Sequence, residues 1–309
     1  MIISDLYNIP FQDIEGEYDL FIGIVGDEPR SHYLVTRTDI LNKVKNKYIL
    51  QYNNDTANRD GFPDDVKWIE YDEKNENPIW SIVKENLVPN NNKLSIIIDY
   101  SSMSRLYYGA FLKSCYEYTE NVKLKLCFIY NIAEPVTPPE DQSFSFDPMP
   151  GYLHLKLPQN PTALIIGLGY EERRAYSLKD YFDAEAVYIF RTDRKTSPEY
   201  YELVQKNNDR LLNKLSQNGL NNVYEYSLDN ICYTHKVLTE LCQELSDSYR
   251  IVIAPCGPKP FTLISLLVSL RMENVDIWRI HNVDNVVKKE GSDQSIVTII
   301  EMTPGNMSE

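Results

Sequence analysis

Short apolar runs alternate with longer stretches in which apolar residues recur every three or four positions. The short runs are typical of strands buried on both faces, and the periodic stretches are typical of helices. In the second half this pattern predicts strands at 163–168, 186–190, 223–226, 250–254 and 275–280, with helices at 172–181, 198–217, 231–245 and 258–272. A last strand at 295–301 is expected to pair antiparallel with the strand at 275–280 as a sheet edge. Alternating strands and helices indicate an α/β fold with parallel, Rossmann-like sheets.

The two halves of the chain carry the same motifs in the same order. An apolar strand runs into Gly26–Arg30 in the first half and into Gly169–Arg173 in the second, and both segments read Gly-x-Glu-x-Arg. A later strand runs into Asp99–Arg105, and its counterpart into Ala254–Pro260, each followed by an apolar helix. Loops tolerate insertion, so unequal spacing between the motifs is compatible with an old repeat. The sequence therefore predicts two tandem Rossmann-like parallel-sheet domains related by internal duplication.

A proline-rich stretch separates the two halves. Residues 133–161 are dense in proline, which the interior of a helix or a central strand does not tolerate. We therefore expect a first Rossmann-like domain at 1–132, a linker or flap at 133–161, and a second Rossmann-like domain at 162–309.

Charge and composition restrict the partners. The net charge of −14 repels long nucleic acid and anionic membranes, whereas a small anion can still be held by a few cations and amides. The five cysteines form no CxxC pair and the four histidines have no metal-ligand spacing, so we expect no metal or cofactor. We see no signal peptide, and the longest apolar run, 261–270, is too short to span a bilayer. A cytoplasmic protein is expected.

The early loops, Gly26–Arg30 and Gly169–Arg173, follow the first strand of each half. Open parallel sheets bind ligands beyond the carboxyl ends of their strands, where the strand order reverses. The glycines permit a tight turn into a helix whose N-terminus attracts anions, but Glu28 and Glu171 would repel a phosphate there. These glutamates are expected to bind sugar hydroxyls or bases, or to act as a general acid or base. The alternative is an ion pair with the arginine two residues further on.

The late loops, Asp99–Arg105 and Ala254–Pro260, differ between the halves. The first has a carboxylate, several hydroxyls and Arg105 at a predicted helix start, a combination that suits a phosphate or phosphodiester. The second lacks the carboxylate but keeps Lys259 in a turn bracketed by prolines, which remove amide donors. The alternative in the first half is plain helix capping by Ser101 or Ser102.

The turn Cys256-Gly257-Pro258-Lys259-Pro260, between a strand and an apolar helix, resembles the ligand loop of CRISPR-associated Rossmann-fold (CARF) domains and related sensors of bacterial antiviral defence. Gly167–Glu171 matches their early loop, and the internal repeat extends the likeness to Asp99–Arg105 and Gly23–Glu28. Those domains bind cyclic oligonucleotides at the C-terminal ends of their strands, usually across a two-fold interface. The resemblance implies a nucleotide ligand, a homodimer and a protein partner in a multi-component system.

Three functions follow from these patterns. The first is binding of a nucleotide or nucleotide-derived anionic ligand in the cleft at the C-terminal strand ends between the two halves, as a defence sensor. The second is an enzyme that cleaves a phosphodiester or N-glycosidic bond of such a ligand. The third is a scaffold for protein–protein interaction. The expected ligand-binding residues are Gly26, Arg30, Ser101, Ser102, Arg105, Gly169, Arg173, Cys256, Gly257 and Lys259. The expected catalytic residues are Asp99, Glu171 and Glu28.

Overall fold

The structure, a computed structural model, describes residues 1–26, 28–52, 59, 61–71, 77–87, 92–118, 121–136, 144–154, 160–171, 173–217, 222–282 and 288–305. Its strands are β1 (Ile2–Ile9), β2 (Tyr18–Val25), β3 (Val44–Tyr52), β4 (Val66–Tyr71), β5 (Lys93–Asp99), β6 (Lys123–Ala133), β7 (Phe144–Pro148), β8 (Thr162–Gly167), β9 (Ala186–Thr192), β10 (Val223–Tyr226), β11 (Arg250–Pro255), β12 (Val275–Asn282) and β13 (Gly291–Thr303). Its α-helices are α1 (Thr38–Leu41), α2 (Pro78–Asn86), α3 (Arg105–Tyr118), α4 (Arg174–Phe182), α5 (Pro198–Gln217), α6 (Ile231–Leu245) and α7 (Lys259–Arg271). Single-turn 3₁₀ helices lie at Phe11–Asp13, Pro29–His32 and Leu228–Asn230.

The chain divides into two compact units. The first unit consists of Met1–Glu134 together with Lys288–Glu309, and the second unit consists of Pro135–Val287. The first contains a seven-stranded sheet in the order β1-β13-β6-β5-β2-β3-β4, and the second contains a six-stranded sheet in the order β10-β9-β8-β11-β12-β7. Each unit therefore has its own sheet.

Both sheets are built around five parallel strands in the same order. In the first unit these strands run β4-β3-β2-β5-β6, and in the second unit they run β10-β9-β8-β11-β12. Numbered along the chain within each unit, both read 3-2-1-4-5, the order of a Rossmann-like sheet. The predicted α/β class with two Rossmann-like sheets is confirmed. Descent of the two units from one duplicated half stays a prediction.

The predicted elements of the second half agree closely with the structure. The ranges of β10, α5 and α6 match the prediction. Apart from the last strand, the other predicted elements of that half begin and end within two residues of their predicted bounds. The central strands β5 and β8 are buried on both faces along nearly their whole length. Their continuous apolar sequences arise because helices cover both faces of a parallel sheet.

The position of the last strand was predicted wrongly. β13 pairs antiparallel with β6 and with β1, so it belongs to the sheet of the first unit and not beside β12. The residues from Ile296 to Ile300 are all buried, as an internal strand requires. The sequence pattern shows that this segment is apolar, but pattern alone does not select which sheet receives it.

Part of the proline-rich stretch at 133–161 also departs from the prediction. Within it, β7 pairs antiparallel with β12 at the edge of the second sheet, in register from Phe144 with Asn282 to Pro148 with Trp278. Proline is acceptable at the end of an edge strand because no ladder hydrogen bond is lost there. Residues 137–143 and 155–159 of this stretch lie outside the described part.

Candidate functional site

The strand-order reversal brings an early and a late loop together in each unit. The order reverses between β2 and β5 in the first unit and between β8 and β11 in the second. The early loops follow β2 and β8, and the late loops follow β5 and β11. All four predicted loops therefore lie at the carboxyl edge of a parallel sheet where ligands of this fold class bind.

In the early loop of the first unit, Glu28 and Arg30 form an ion pair. Arg30 Nε donates to Glu28 Oε1 at 2.9 Å, and Arg30 Nη1 lies 3.5 Å from the Tyr130 hydroxyl and 3.4 Å from the Asn131 carbonyl oxygen. Burial alone would lower the pKa of the Arg30 guanidinium, but Tyr130 and Glu28 outweigh burial and raise it. The Arg30 side chain is only 5% exposed. It joins the loop to the end of β6, and the ion-pair alternative is confirmed for this unit.

Gly26 is held by the same early loop. Its amide donates to Ser31 Oγ at 3.3 Å, and Ser31 Oγ donates to the Gly26 carbonyl oxygen at 3.2 Å. Ser31 is buried. The turn after β2 is therefore stabilised by two hydrogen bonds of the Ser31 hydroxyl.

In the late loop of the first unit, two expected site residues are engaged with backbone amides. Asp99 Oδ1 accepts from the Ser101 amide at 3.0 Å, and Ser101 Oγ accepts from the Asn131 amide at 2.8 Å. Asp99 and Ser101 are 3% and 1% exposed. Together they shape the loop and connect it to the end of β6.

The cap of α3 differs from the expected capping residues. Ser104 Oγ accepts from the Leu106 amide at 3.3 Å, so Ser104 takes the capping position and not Ser101 or Ser102. Ser102 Oγ is buried and, within the described part of the chain, has no hydrogen-bond partner. Arg105 follows as the first residue of the helix. A hydroxyl without a partner, a cation and a helix N-terminus therefore occur within four residues.

In the early loop of the second unit, the expected Glu171–Arg173 pair is not the one formed. Glu171 Oε1 lies 3.0 Å from Arg174 Nη1, while Arg173 is exposed and has a left-handed backbone with φ of 73°. Glu171 Oε2 lies 2.6 Å from the position that a Cβ on Gly169 would occupy. The carboxylate thus folds over Gly169, where only a glycine leaves room for it.

The late loop of the second unit is joined to the early loop through the backbone. The amides of Cys256 and Gly257 both donate to the Gly167 carbonyl oxygen at 2.8 Å. A Cβ on Gly169 would lie 2.7 Å from the Cys256 carbonyl oxygen, and one on Gly257 would lie 2.6 Å from that of Leu168. These two amides are therefore occupied. Lys259 is the first residue of α7.

Asparagines that sequence reasoning missed hold both sites in shape. In the second unit, Asn208 Nδ2 donates to the Gly169 carbonyl oxygen at 3.0 Å, and Asn207 Nδ2 donates to that of Tyr170. In the first unit, Asn131 Nδ2 donates to the Ser292 carbonyl oxygen at 2.8 Å. Two consecutive asparagines inside a predicted helix were the available signal, because asparagine is unfavourable there without a local partner.

In the described part of the chain, no three His, Cys, Asp or Glu side chains come close enough together to hold a metal ion. None of the described helices is both long and apolar enough to cross a lipid bilayer.

The fold and these loops define an α/β protein with two Rossmann-like units, each with polar loops at its strand-order reversal. Comparison of the chain with protein-family models, with curated proteins and with solved structures found no match.

Proposed function

We propose that the first unit binds a nucleotide or nucleotide-derived anionic ligand at the carboxyl edge of its sheet, and that this binding serves sensing. The observation that carries the proposal is the buried Ser102 hydroxyl, which has no hydrogen-bond partner among the described residues. A buried polar group without a partner costs free energy, and a ligand oxygen would remove that cost. The N-terminus of α3 and the Arg105 side chain favour an anion at the same place.

The asymmetry between the units supports the choice of the first. In the second unit, the amides of Cys256 and Gly257 are bonded to Gly167, and the Glu171 carboxylate covers Gly169. Backbone amides that could bind a phosphate therefore already donate to a carbonyl oxygen within that unit. The part of the proposal that concerns bacterial defence depends only on the sequence resemblance of the loops at Cys256–Pro260 and Gly167–Glu171.

Binding is favoured over catalysis because the three expected catalytic carboxylates already interact with protein donors. Glu28 pairs with Arg30, Glu171 pairs with Arg174, and Asp99 accepts from a backbone amide. A general acid or base must present an oxygen to the substrate, and Asp99 is only 3% exposed. The enzymatic alternative would be established if incubation with nucleotides gave products and Asp99→Asn abolished turnover while leaving binding intact.

The test is a binding screen of the full chain against mononucleotides, dinucleotides and cyclic oligonucleotides, by thermal shift and by mass spectrometry of co-purified small molecules. A hydrogen bond to a charged group contributes about 1.5–3 kcal/mol, so Ser102→Ala and Arg105→Gln should each weaken binding roughly 10- to 100-fold. Lys113→Gln is the matched control, since it removes one charge from the same helix away from its N-terminus. A panel without any binder, or an equal loss in the control, would refute the proposal.

A further inference from the structure

A groove on the second unit is lined by side chains of two helices, α4 and α5. It is lined by Tyr176 of α4 and by Asp209, Arg210, Asn213 and Lys214 of α5, and has a volume of about 420 Å³. Small-molecule sites typically measure about 300–1,000 Å³, so this groove has room for a compact ligand.

The cations of the groove share one face of a helix. Arg210 and Lys214 are four residues apart in α5, which places them one above the other. In the described part of the chain, neither forms an ion pair or side-chain hydrogen bond. The carboxylate of Asp209 accepts from Asn213 Nδ2 at 2.9 Å, one turn further along α5. The groove thus contains two cations and one carboxylate that is already hydrogen-bonded, in a chain whose net charge is −14.

The same helix holds the neighbouring loop rigidly. Asn207 and Asn208, directly before the groove residues, donate to the carbonyl oxygens of Tyr170 and Gly169. These two bonds fix the backbone of the loop that precedes α4, the helix that carries Tyr176. The Tyr176 side chain, from the first turn of α4, also lines the groove.

We propose that this groove binds the phosphoryl group of a small phosphate ester. The Arg210 guanidinium presents forked donors that match phosphate oxygens, and the Lys214 ammonium adds a second positive charge. The organic part of the ester lies against the Tyr176 ring, and a hydroxyl on it can donate to Asp209. The site is separate from the one proposed in the first unit and shares no residue with it.

The test is isothermal titration calorimetry of the full chain with phenyl phosphate and, separately, with inorganic phosphate, in a phosphate-free buffer of about 0.15 M ionic strength, at which surface charges are screened over about 8 Å. Phenyl phosphate should bind with one site per chain, and more tightly than inorganic phosphate. The double variant Arg210→Gln/Lys214→Gln should weaken that binding at least tenfold. Tyr176→Leu should weaken the binding of phenyl phosphate and leave the binding of inorganic phosphate unchanged. The fold of each variant is checked by circular dichroism.

The matched control is Lys195→Gln/Lys236→Gln, which removes two exposed charges from the second unit outside the groove. This pair should leave binding within about twofold of the unaltered chain, because screened surface charges add little. Arg105→Gln should also leave it unchanged, which separates this site from that of the first unit. The inference is overturned if phenyl phosphate does not bind, if the control pair loses as much affinity, or if inorganic phosphate binds as tightly as the ester.

Discussion

Acidification should destabilise the second unit through His235. This residue lies in α6 and is 8% exposed; burial lowers its pKa from 6.5 to about 4, and the positive charge of Arg271 contributes. A base with a lower pKa in the folded state stays neutral there and takes up a proton on unfolding. Between the two pKa values the unfolded state binds more protons, so the free energy of unfolding is highest above pH 6.5 and falls toward pH 4.

The magnitude follows from the two pKa values. Each unit of pKa difference corresponds to about 1.4 kcal/mol, so a lowering of about 2.5 units is equivalent to about 3 kcal/mol. Most of this should be lost between roughly pH 7.5 and pH 4.5. Solvent screening reduces this amount little, because the imidazole of His235 is buried.

The assay is urea unfolding followed by Trp278 fluorescence, in a chain carrying Trp68→Phe and Trp80→Phe so that the signal reports the second unit. His235→Gln replaces the imidazole with a polar side chain that does not titrate. Carboxylates titrate equally in both chains, so the difference between their pH dependences isolates His235. An equal loss of stability on acidification in both chains would refute the reasoning.

Two further predictions concern the loops of the second unit. Gly167→Ala would place a Cβ 2.3 Å from Phe261 Cδ1. We expect this overpacking to lower the free energy of unfolding by about 1–3 kcal/mol in urea titrations. Gly305→Ala is the control and should change the free energy of unfolding little, because the nearest neighbour of its Cβ would lie at 3.8 Å. Asn208→Ala removes the side-chain amide that donates to the Gly169 carbonyl oxygen. This substitution should lower the free energy of unfolding by about 1–3 kcal/mol and speed hydrogen exchange in the early loop. Unchanged hydrogen exchange would contradict the positioning role of Asn208.

Hydrophobic pattern was sufficient for most of the architecture because helix and strand periods are local properties of the sequence. α5 spans the predicted residues, with proline at its first position and acidic Glu199 in its first turn. The placement of β13 was not predictable in the same way. Its apolar run is compatible with any open sheet edge, and the choice of β6 depends on contacts across more than 150 residues of sequence, as with Ile300 and Leu126.

The candidate sites were predictable as loops but not as contacts. The Gly-x-Glu-x-Arg pattern gave the pair Glu28–Arg30 correctly and gave the wrong arginine for Glu171. In the second unit, α4 begins at Arg174, so the partner is three residues away at helical spacing and not two. The bonds from the late-loop amides to Gly167 join different strands, and no local pattern reports them.

The path of the chain through the two sheets has a consequence for folding during synthesis. The second unit is continuous in sequence, from Pro135 to Val287, whereas the first unit requires β13 between β6 and β1. While residues 291–303 are still missing, β6 has an apolar edge without its partner strand. We therefore expect the second unit to fold first, although it is synthesised after Met1–Glu134. That earlier segment should remain incompletely folded and prone to aggregation until β13 has been synthesised.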